Sequence, residues 1–319
     1  MKLRLLYHGH CFDGVASAAV FTRFWRGQES NKNAEIGYTG LLHRPGALFD
    51  AEMFDGDENA IVDFKYSASP RLTWWFDHHQ SAFLTPEDEA HFHADTSGKK
   101  FWDPESKSCT EYIAVVARDR FDFHDAAIEP LVRWAHVIDG ALYSSPAEAV
   151  ELAQPPLQLM QVIEGDPDDA FIESIIRGLA EHSLEEVATG AEVQRRFAPI
   201  MAQHRATLAL IGEKAVAENG VVFFDLTAEG VEGFNKFIPY YLYPEMTYSV
   251  AVTRGAHRTK ISVGSNPWSP RPRRHNIATI CERYGGGGHP VVGAISFGTD
   301  EVARAQAVAR EVVAELSQN

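Results

Sequence analysis

Three short apolar runs near the N-terminus each end on acids or imidazoles, and this pattern admits few folds. "LRLLY" (3–7) runs into His8, His10 and Asp13, "AIV" (60–62) into Asp63, and "TWWF" (73–76) into Asp77, His78 and His79. Runs of this length, rich in branched and aromatic residues, read as buried strands. Between them the period changes. After Gly14, apolar residues recur at Ala16, Ala19, Val20 and Phe24 with Gly27 as a stop, which is helical spacing. "SCTE" (108–111) has the capping-box pattern and opens a helix carrying Tyr112, Val115 and Val116. Strands alternating with helices predict an α/β fold with a mostly parallel sheet. Ligands of such sheets bind beyond the carboxyl ends of the strands, so the polar residues that follow each run are expected at the mouth of a site.

The texture changes after "AQPPLQ" (153–158), a proline-marked break. Ile172, Ile175, Ile176 and Leu179 form one helical face, and helical pattern continues toward Lys214. Strands are expected at 221–226, 247–255 and 259–265, the last two joined by a tight turn at "RGAH". "NIATICERYG" reads as a helix, "VGAISF" as a final strand, and the C-terminal segment as a closing helix. The expected organisation is a parallel-sheet domain over 1–155, a helical connector over 156–218 and a smaller mixed α/β domain over 219–319.

Composition excludes some partners. The formal net charge is -15, which disfavours long duplex nucleic acid, since such binding needs many Lys and Arg contacts to phosphate. No apolar run approaches the ~20 residues that span a bilayer. Cys11, Cys109 and Cys281 lie far apart with no CxxC, which suits a reducing cytoplasm better than a disulfide framework. Asp55, Asp57 and Glu58 read as a solvated loop, and His43, His91, His93, His124, His182 and His204 as structural or solvent-facing.

Acids and imidazoles delivered to one sheet edge repel one another unless a cation lies among them. Carboxylate oxygen with imidazole nitrogen suits a hard divalent ion such as Mn²⁺. Two such ions about 3.5–4 Å apart, sharing one carboxylate, suit in-line displacement at phosphorus.

The motifs "HGHCFDG" (8–14), "VDF" (62–64), "DHH" (77–79), "IDG" (138–140) and "GGGGH" (285–289) stand in the order found in DHH-family phosphoesterases with a C-terminal DHHA1 domain. The chain resembles that family over most of its length. The resemblance implies a DHH metal-binding catalytic domain, a DHHA1 substrate-binding domain, a cleft between them and Mn²⁺-dependent phosphoester hydrolysis, with Mg²⁺ or another divalent ion as an alternative. Substrates across the family include very short oligonucleotides, cyclic dinucleotides, phosphorylated adenosine nucleotides, single-stranded DNA and polyphosphates.

By position, the resemblance implies that Asp13, Asp63, His78 and Asp139 hold one metal, with Asp63 bridging to a second and His8 as a further ligand. His79 would face the substrate phosphate. Asp77 would orient an imidazole or complete the metal shell. Gly285, Gly286, Gly287, Gly288 and His289 would grip the far end of the substrate, through backbone N–H groups and the imidazole. One departure stands out: where the family has an Asp-x-Asp pair, this chain has Cys11-Phe12-Asp13. The second metal would then draw on His8, with His10 or the Cys11 thiolate as candidates, or Cys11 is an inert neighbour. The family's Arg-Ser pair is replaced by Gly264-Ser265, so Ser265 keeps a candidate substrate role and Arg273 or Arg274, in the basic loop that also carries Arg271 and Trp268, would supply the missing guanidinium.

The expected function is metal-dependent hydrolysis of a small phosphorylated substrate or short single-stranded oligonucleotide, with one or two metals, no membrane, and a homodimer as a candidate assembly. The alternatives are a catalytically weakened nucleotide sensor and a phosphoanhydride hydrolase of the polyphosphatase or pyrophosphatase type.

Overall fold

The computed structural model describes residues 1–44 and 46–318. In chain order the elements are β1 (Lys2–His8), α1 (Phe12–Gly27), β2 (Glu35–Leu41), β3 (Glu58–Val62), β4 (Trp74–Asp77), α2 (Pro86–His93), β5 (Lys100–Trp102), α3 (Cys109–Phe121), α4 (Glu129–Asp139), α5 (Pro146–Glu151), α6 (Pro155–Gly165), α7 (Asp169–Glu181), α8 (Leu184–Ala188) and α9 (Ala191–Lys214). There follow β6 (Val216–Glu218), β7 (Val221–Asp225), α10 (Ile238–Leu242), β8 (Tyr248–Arg254), β9 (Thr259–Ser265), α11 (Ile277–Glu282), β10 (Gly287–His289), β11 (Val292–Phe297) and α12 (Val302–Leu316). They form two compact units: Met1–Tyr143 with Ala153–Ala198, and Ser144–Leu152 with Pro199 to the chain end. The stretch expected as a connector is therefore shared between the units, with the division falling at Pro199 inside α9.

The first unit is built on a parallel sheet in the order β2-β1-β3-β4-β5. β1 and β3 are neighbours although β2 lies between them in sequence, so the chain reverses its direction of progress there. In an open α/β sheet that switch point is where a crevice forms beyond the strand ends. α1 packs against the sheet and is buried on nearly every side, from Val15 through Phe24 and Trp25. A helix this apolar belongs in a core rather than at a surface. Phe21 and Phe24 meet Trp74 and Phe76 edge-on, at ring separations of 5.6–5.8 Å. On the opposite face Leu6, Ile61, Phe64, Tyr66 and Trp75 form a second layer. Each such side chain contributes about 1.5–3 kcal/mol on burial.

Glu58 is not the solvated loop residue expected from sequence. It opens β3, and its Oε2 accepts the indole N–H of Trp25 at 2.8 Å and of Trp74 at 3.0 Å, while Lys99 reaches Oε1. Asp55 pairs with Lys2 and Arg4. The capping box at 108–111 forms only in half. Ser108 accepts from the Glu111 N–H, but the Glu111 carboxylate turns to His136 instead.

The second unit carries a mixed sheet in the order β10-β11-β9-β8-β7-β6, parallel only between β7 and β8. Val250, Val252, Ile261, Val263 and Ile295 point to one face, where Ile277 and Ile280 of α11 and Ala305, Ala309 and Val312 of α12 complete the core. Alternate residues of β9, Lys260, Ser262 and Gly264, take the other face. The expected β8–β9 hairpin is present, with Arg254 opposite Thr259. No helix of the described residues is long and apolar enough to cross a membrane.

Candidate metal centre

The centre lies where β1, β3 and β4 end. β1 ends at His8, whose Nδ1 is 3.2 Å from Asp63 Oδ2. The chain then turns tightly into α1, and Gly14 makes that turn possible: a Cβ there would lie 2.1 Å from the His8 carbonyl oxygen. Asp13 is thereby fixed in the first turn of α1, where it is buried. Its Oδ2 accepts from the Cys109 N–H at 2.6 Å and its Oδ1 from the Thr110 N–H at 3.1 Å. Asp13 thus satisfies orphan donors at the start of α3, where a negative charge is favoured.

Asp63 follows β3 with a left-handed backbone, φ 57°, which is uncommon for a non-glycine residue and tends to mark functional positions. Its N–H donates to the Phe76 carbonyl of β4. Asp77, the last residue of β4, gathers the two histidines that follow it. Its Oδ1 accepts from the His78 N–H at 2.8 Å and from His79 Nδ1 at 2.7 Å. His78 Nδ1 donates to the Ser106 carbonyl at 3.1 Å, which directs Nε2 into the cluster. There Nε2 lies 3.6 Å from Asp13 Oδ2, 3.4 Å from Asp63 Oδ1 and 3.5 Å from Asp139 Oδ2. Asp139 ends α4, a place where the helix dipole disfavours an acid unless positive charge is nearby.

Three acids around one imidazole distort all the titrations. Burial, then the charges of Asp63 and Asp139, push the Asp13 carboxyl well above its usual range. Burial opposes charge on His78, but its contact with Asp63 and the charges of Asp13 and Asp139 raise it to about 10. Burial would raise Asp63, yet His78 and His8 hold it well below the usual carboxylate range. Burial likewise opposes charge on His79, and the hydrogen bond with Asp77 outweighs it and raises the imidazole.

The residues fit a divalent cation. Asp63 Oδ1 and His78 Nε2 are buried with no hydrogen-bond partner, and so is Asp77 Oδ2. Buried polar atoms are normally satisfied, so these orphans need a partner of another kind. Candidate ligand atoms of Asp13, His78 and Asp139 lie within 4.8 Å of one another, as do those of Asp63, His78 and His79, and those of His8, Cys11 and Asp63. The structure therefore brings together His8, Cys11, Asp13, Asp63, Asp77, His78, His79 and Asp139. His10, with φ 53°, joins none of these groups. Burial pushes the Cys11 thiol well up, and Asp63 and Asp13 add to the effect.

Several participants carried no sequence signal. The amides of Cys109 and Thr110 and the carbonyl of Ser106 hold Asp13 and His78 across long stretches of chain. His43, expected as structural or solvent-facing, stacks on Phe64 at 4.7 Å and meets His8 edge-on at 5.0 Å, which places it in the wall of the site.

In the second unit the glycine tetrad leaves a turn at Gly285 and enters a short strand at Gly287. β10 pairs with β11, placing Gly287 opposite Ala294, Gly288 opposite Gly293 and His289 opposite Val292. A Cβ on Gly286 would meet the Ala294 carbonyl at 2.2 Å, and one on Gly288 (φ 151°) the Val292 carbonyl at 2.3 Å. Gly285 has φ 76° at the turn, and His289 is exposed. Gly287 and Gly288 line a hollow of about 370 Å³ with Lys236, Thr253, Lys260 and Ser262. Burial, then Arg258, lowers the Lys260 ammonium below its usual range. Gly264 has no room for the family's arginine, because a Cβ there would lie 2.6 Å from the Tyr240 hydroxyl. Ser265 Oγ donates to the Val291 carbonyl at 3.0 Å. Arg273 is engaged with the His275 and Pro290 carbonyls, and the Arg274 N–H with the Tyr248 hydroxyl. Trp268 lies edge-on to Phe237.

Known folds match this arrangement. A pGpG-specific phosphodiesterase, PggH, from Vibrio cholerae superposes with a TM-score of 0.68 at 17% identity, covering 98% of this chain and 99% of its own. The chain has the DHH–DHHA1 fold. A DHH domain described as belonging to a family of ribosomal proteins matches at TM-score 0.53 and 12% identity, over 98% of this chain and 86% of its own. RecJ from Thermus thermophilus, solved with Mg²⁺, matches at TM-score 0.51 and 13% identity, over 98% of this chain and 50% of its own. No protein-family model matches the sequence, and no curated protein matches it. Within the DHH–DHHA1 fold, the strand ends of the first unit are thus occupied by the cluster of acids and imidazoles, and the second unit carries the glycine strand.

Proposed function

We propose that the chain is a divalent-cation-dependent phosphoesterase acting on a small phosphorylated substrate, a short oligonucleotide or a nucleotide. The observation that carries this reading is the convergence of Asp13, Asp63 and Asp139 on His78 Nε2 at 3.4–3.6 Å, with buried ligand atoms left unpartnered. Shared fold supports it: PggH is described as a pGpG phosphodiesterase, and RecJ was solved with Mg²⁺.

Asp13, Asp63, His78 and Asp139 would hold the cation, Mn²⁺ or Mg²⁺, and Asp63, with one oxygen against His78 and the other against His8, would also serve a second. When bound, the cation supplies Lewis acidity toward a phosphoryl oxygen. The protein's own groups do the rest. Ser106 fixes the tautomer of His78 and aims Nε2 at the cation. Asp77 accepts from His79 Nδ1 and favours the charged form of that imidazole, the form whose Nε2–H can donate to a phosphoryl oxygen as negative charge grows there. In the second unit, the hollow beside β10, with Lys260 and the Gly287–Gly288 backbone, has the chemistry to bind an anionic group.

A second reading rests on Cys11. Loss of the usual aspartate favours a sensor that binds a nucleotide without turning it over. The test is purified, metal-stripped protein resupplied with Mn²⁺ or Mg²⁺ and offered linear pGpG, other di- to pentanucleotides, cyclic dinucleotides and polyphosphate. Metal-dependent cleavage of a short nucleotide, absent in Asp63→Ala, is the expected result. Binding without turnover selects the sensor, turnover of polyphosphate alone selects a phosphoanhydride hydrolase, and inertness toward every compound contradicts the proposal.

A further inference from the structure

Accepting the cation-dependent reading, we propose that the second cation position is of a different kind from the first: His8, Cys11 and Asp63 form a nitrogen–sulfur–oxygen site that selects a borderline-soft divalent metal such as Zn²⁺ or Co²⁺ through Cys11 Sγ. The position formed by Asp13, His78 and Asp139 offers only oxygen and imidazole, and suits Mn²⁺ or Mg²⁺. Asp63 stands between the two, with one oxygen against His8 and the other against His78.

The geometry is local and specific. The ligand atoms of His8, Cys11 and Asp63 lie within 4.8 Å of one another. Donors on a tetrahedral zinc sit roughly 3.5 Å apart, given bonds of about 2.0–2.3 Å, so rotamer adjustment of about an ångström closes the site. Three protein ligands with the fourth position free is the arrangement of zinc sites that meet a substrate or water. A cysteine alone would carry no such inference, but here His8 and the buried Asp63, 3.2 Å apart through Nδ1 and Oδ2, stand with it in one group of ligand atoms. Cys11 is also the N-cap of α1, which sets it at the positive end of that helix. It is a free thiol, as are Cys109 and Cys281, so no disulfide competes for it. On binding, the S–H bond gives its proton to solvent as the sulfur–metal bond forms, with no change of oxidation state.

The experiment is a Co²⁺ titration of the metal-free full-length chain followed by absorption. The expected result is a near-ultraviolet sulfur-to-cobalt charge-transfer band alongside the weak visible bands of bound cobalt. Zn²⁺ should remove the charge-transfer band, whereas Mg²⁺ should leave it. Cys11→Ser is close to isosteric and puts a favoured N-cap residue at the start of α1, and it should lose the band while still binding cobalt. Its Zn²⁺ affinity should fall about tenfold or more, since even outer-shell partners carry effects of 10–100-fold. His8→Gln, which leaves the thiol in place, should shift the band to higher Co²⁺ concentration. Visible bands without charge transfer, a band that persists in Cys11→Ser, or a band unmoved by His8→Gln would overturn the nitrogen–sulfur–oxygen site and leave the cation centre standing. Absence of any cobalt binding would overturn both.

Discussion

In the parallel sheet the conspicuous groups are side chains at strand ends, buried and crowded, whereas in the mixed sheet the conspicuous motif is a turn and strand in which four successive residues lack side chains. Asp13, Asp63 and His78 are almost fully enclosed, and Asp63 and His78 leave ligand atoms unsatisfied, an arrangement that costs stability unless a charged partner arrives. Gly286 and Gly288 are constrained for the opposite reason, because the neighbouring β11 backbone leaves no room for a Cβ. The first region gives up stability for chemistry. The second spends its sequence on close packing and leaves an open polar hollow beside it.

Substitutions sharpen this contrast. The largest effect is expected at Asp63. Asp63→Asn keeps its shape but removes the charge facing both His8 and His78, and metal-dependent turnover should fall by about a thousandfold, the scale of losing electrostatic stabilisation at a reacting centre. Steady-state kinetics at saturating Mn²⁺ check it; activity near wild type would break the assignment. His79→Asn should lower kcat about a hundredfold with little change in KM, because the donor acts on developing charge. Asp77→Asn, acting through His79, should lower it by only about tenfold.

The acid cluster was legible for physical reasons. An apolar run of strand length followed at once by Asp or His is hard to bury in any other way, so the ends of β1, β3 and β4 announced themselves. α1 and the β8–β9 hairpin carried equally clear periods. β2 ("EIGYTGL"), the three-residue β5 and β6, and β10 did not, since their patterns are weak or too short to distinguish from loop. The partners of Asp13 were invisible because a backbone amide 96 residues away leaves no mark on composition. The glycine tetrad showed that side chains are excluded there, but not whether a ligand or β11 excludes them. Glu58 looked solvated because indole donors reach it only after folding.

In the second unit, Gly288→Ala should destabilise by about 1–3 kcal/mol, since it combines a positive φ with a blocked Cβ. Gly287→Ala meets nothing within 4 Å and should change stability by less than about 0.5 kcal/mol. Denaturant unfolding of the pair measures the difference, and equal effects would deny that packing governs the motif.

Glu58 yields a pH prediction. Burial opposes its charge, yet the Trp25 and Trp74 indoles and Lys99 hold the carboxyl below its usual value. A carboxyl with a depressed folded value contributes stability that is complete above the unfolded value of about 4.3, and loses it as pH falls through the folded value. Glu58→Gln should cost about 1–3 kcal/mol at neutral pH, and the difference from wild type should shrink in acid. Unfolding curves taken from neutral pH down to below the carboxylate range check the sign; a difference that grew in acid would contradict it.

The central claim is that buried acids and imidazoles at the strand ends are arranged around a divalent ion. Calorimetric titration of metal-free protein with Mn²⁺, paired with melting curves, tests it most directly. Wild type should bind and gain about 2.7 kcal/mol of stability at a hundredfold excess over Kd, while Asp13→Asn combined with Asp63→Asn should show neither heat nor stabilisation. A wild-type chain that takes up no cation, or a double variant that binds as well as wild type, would contradict the account.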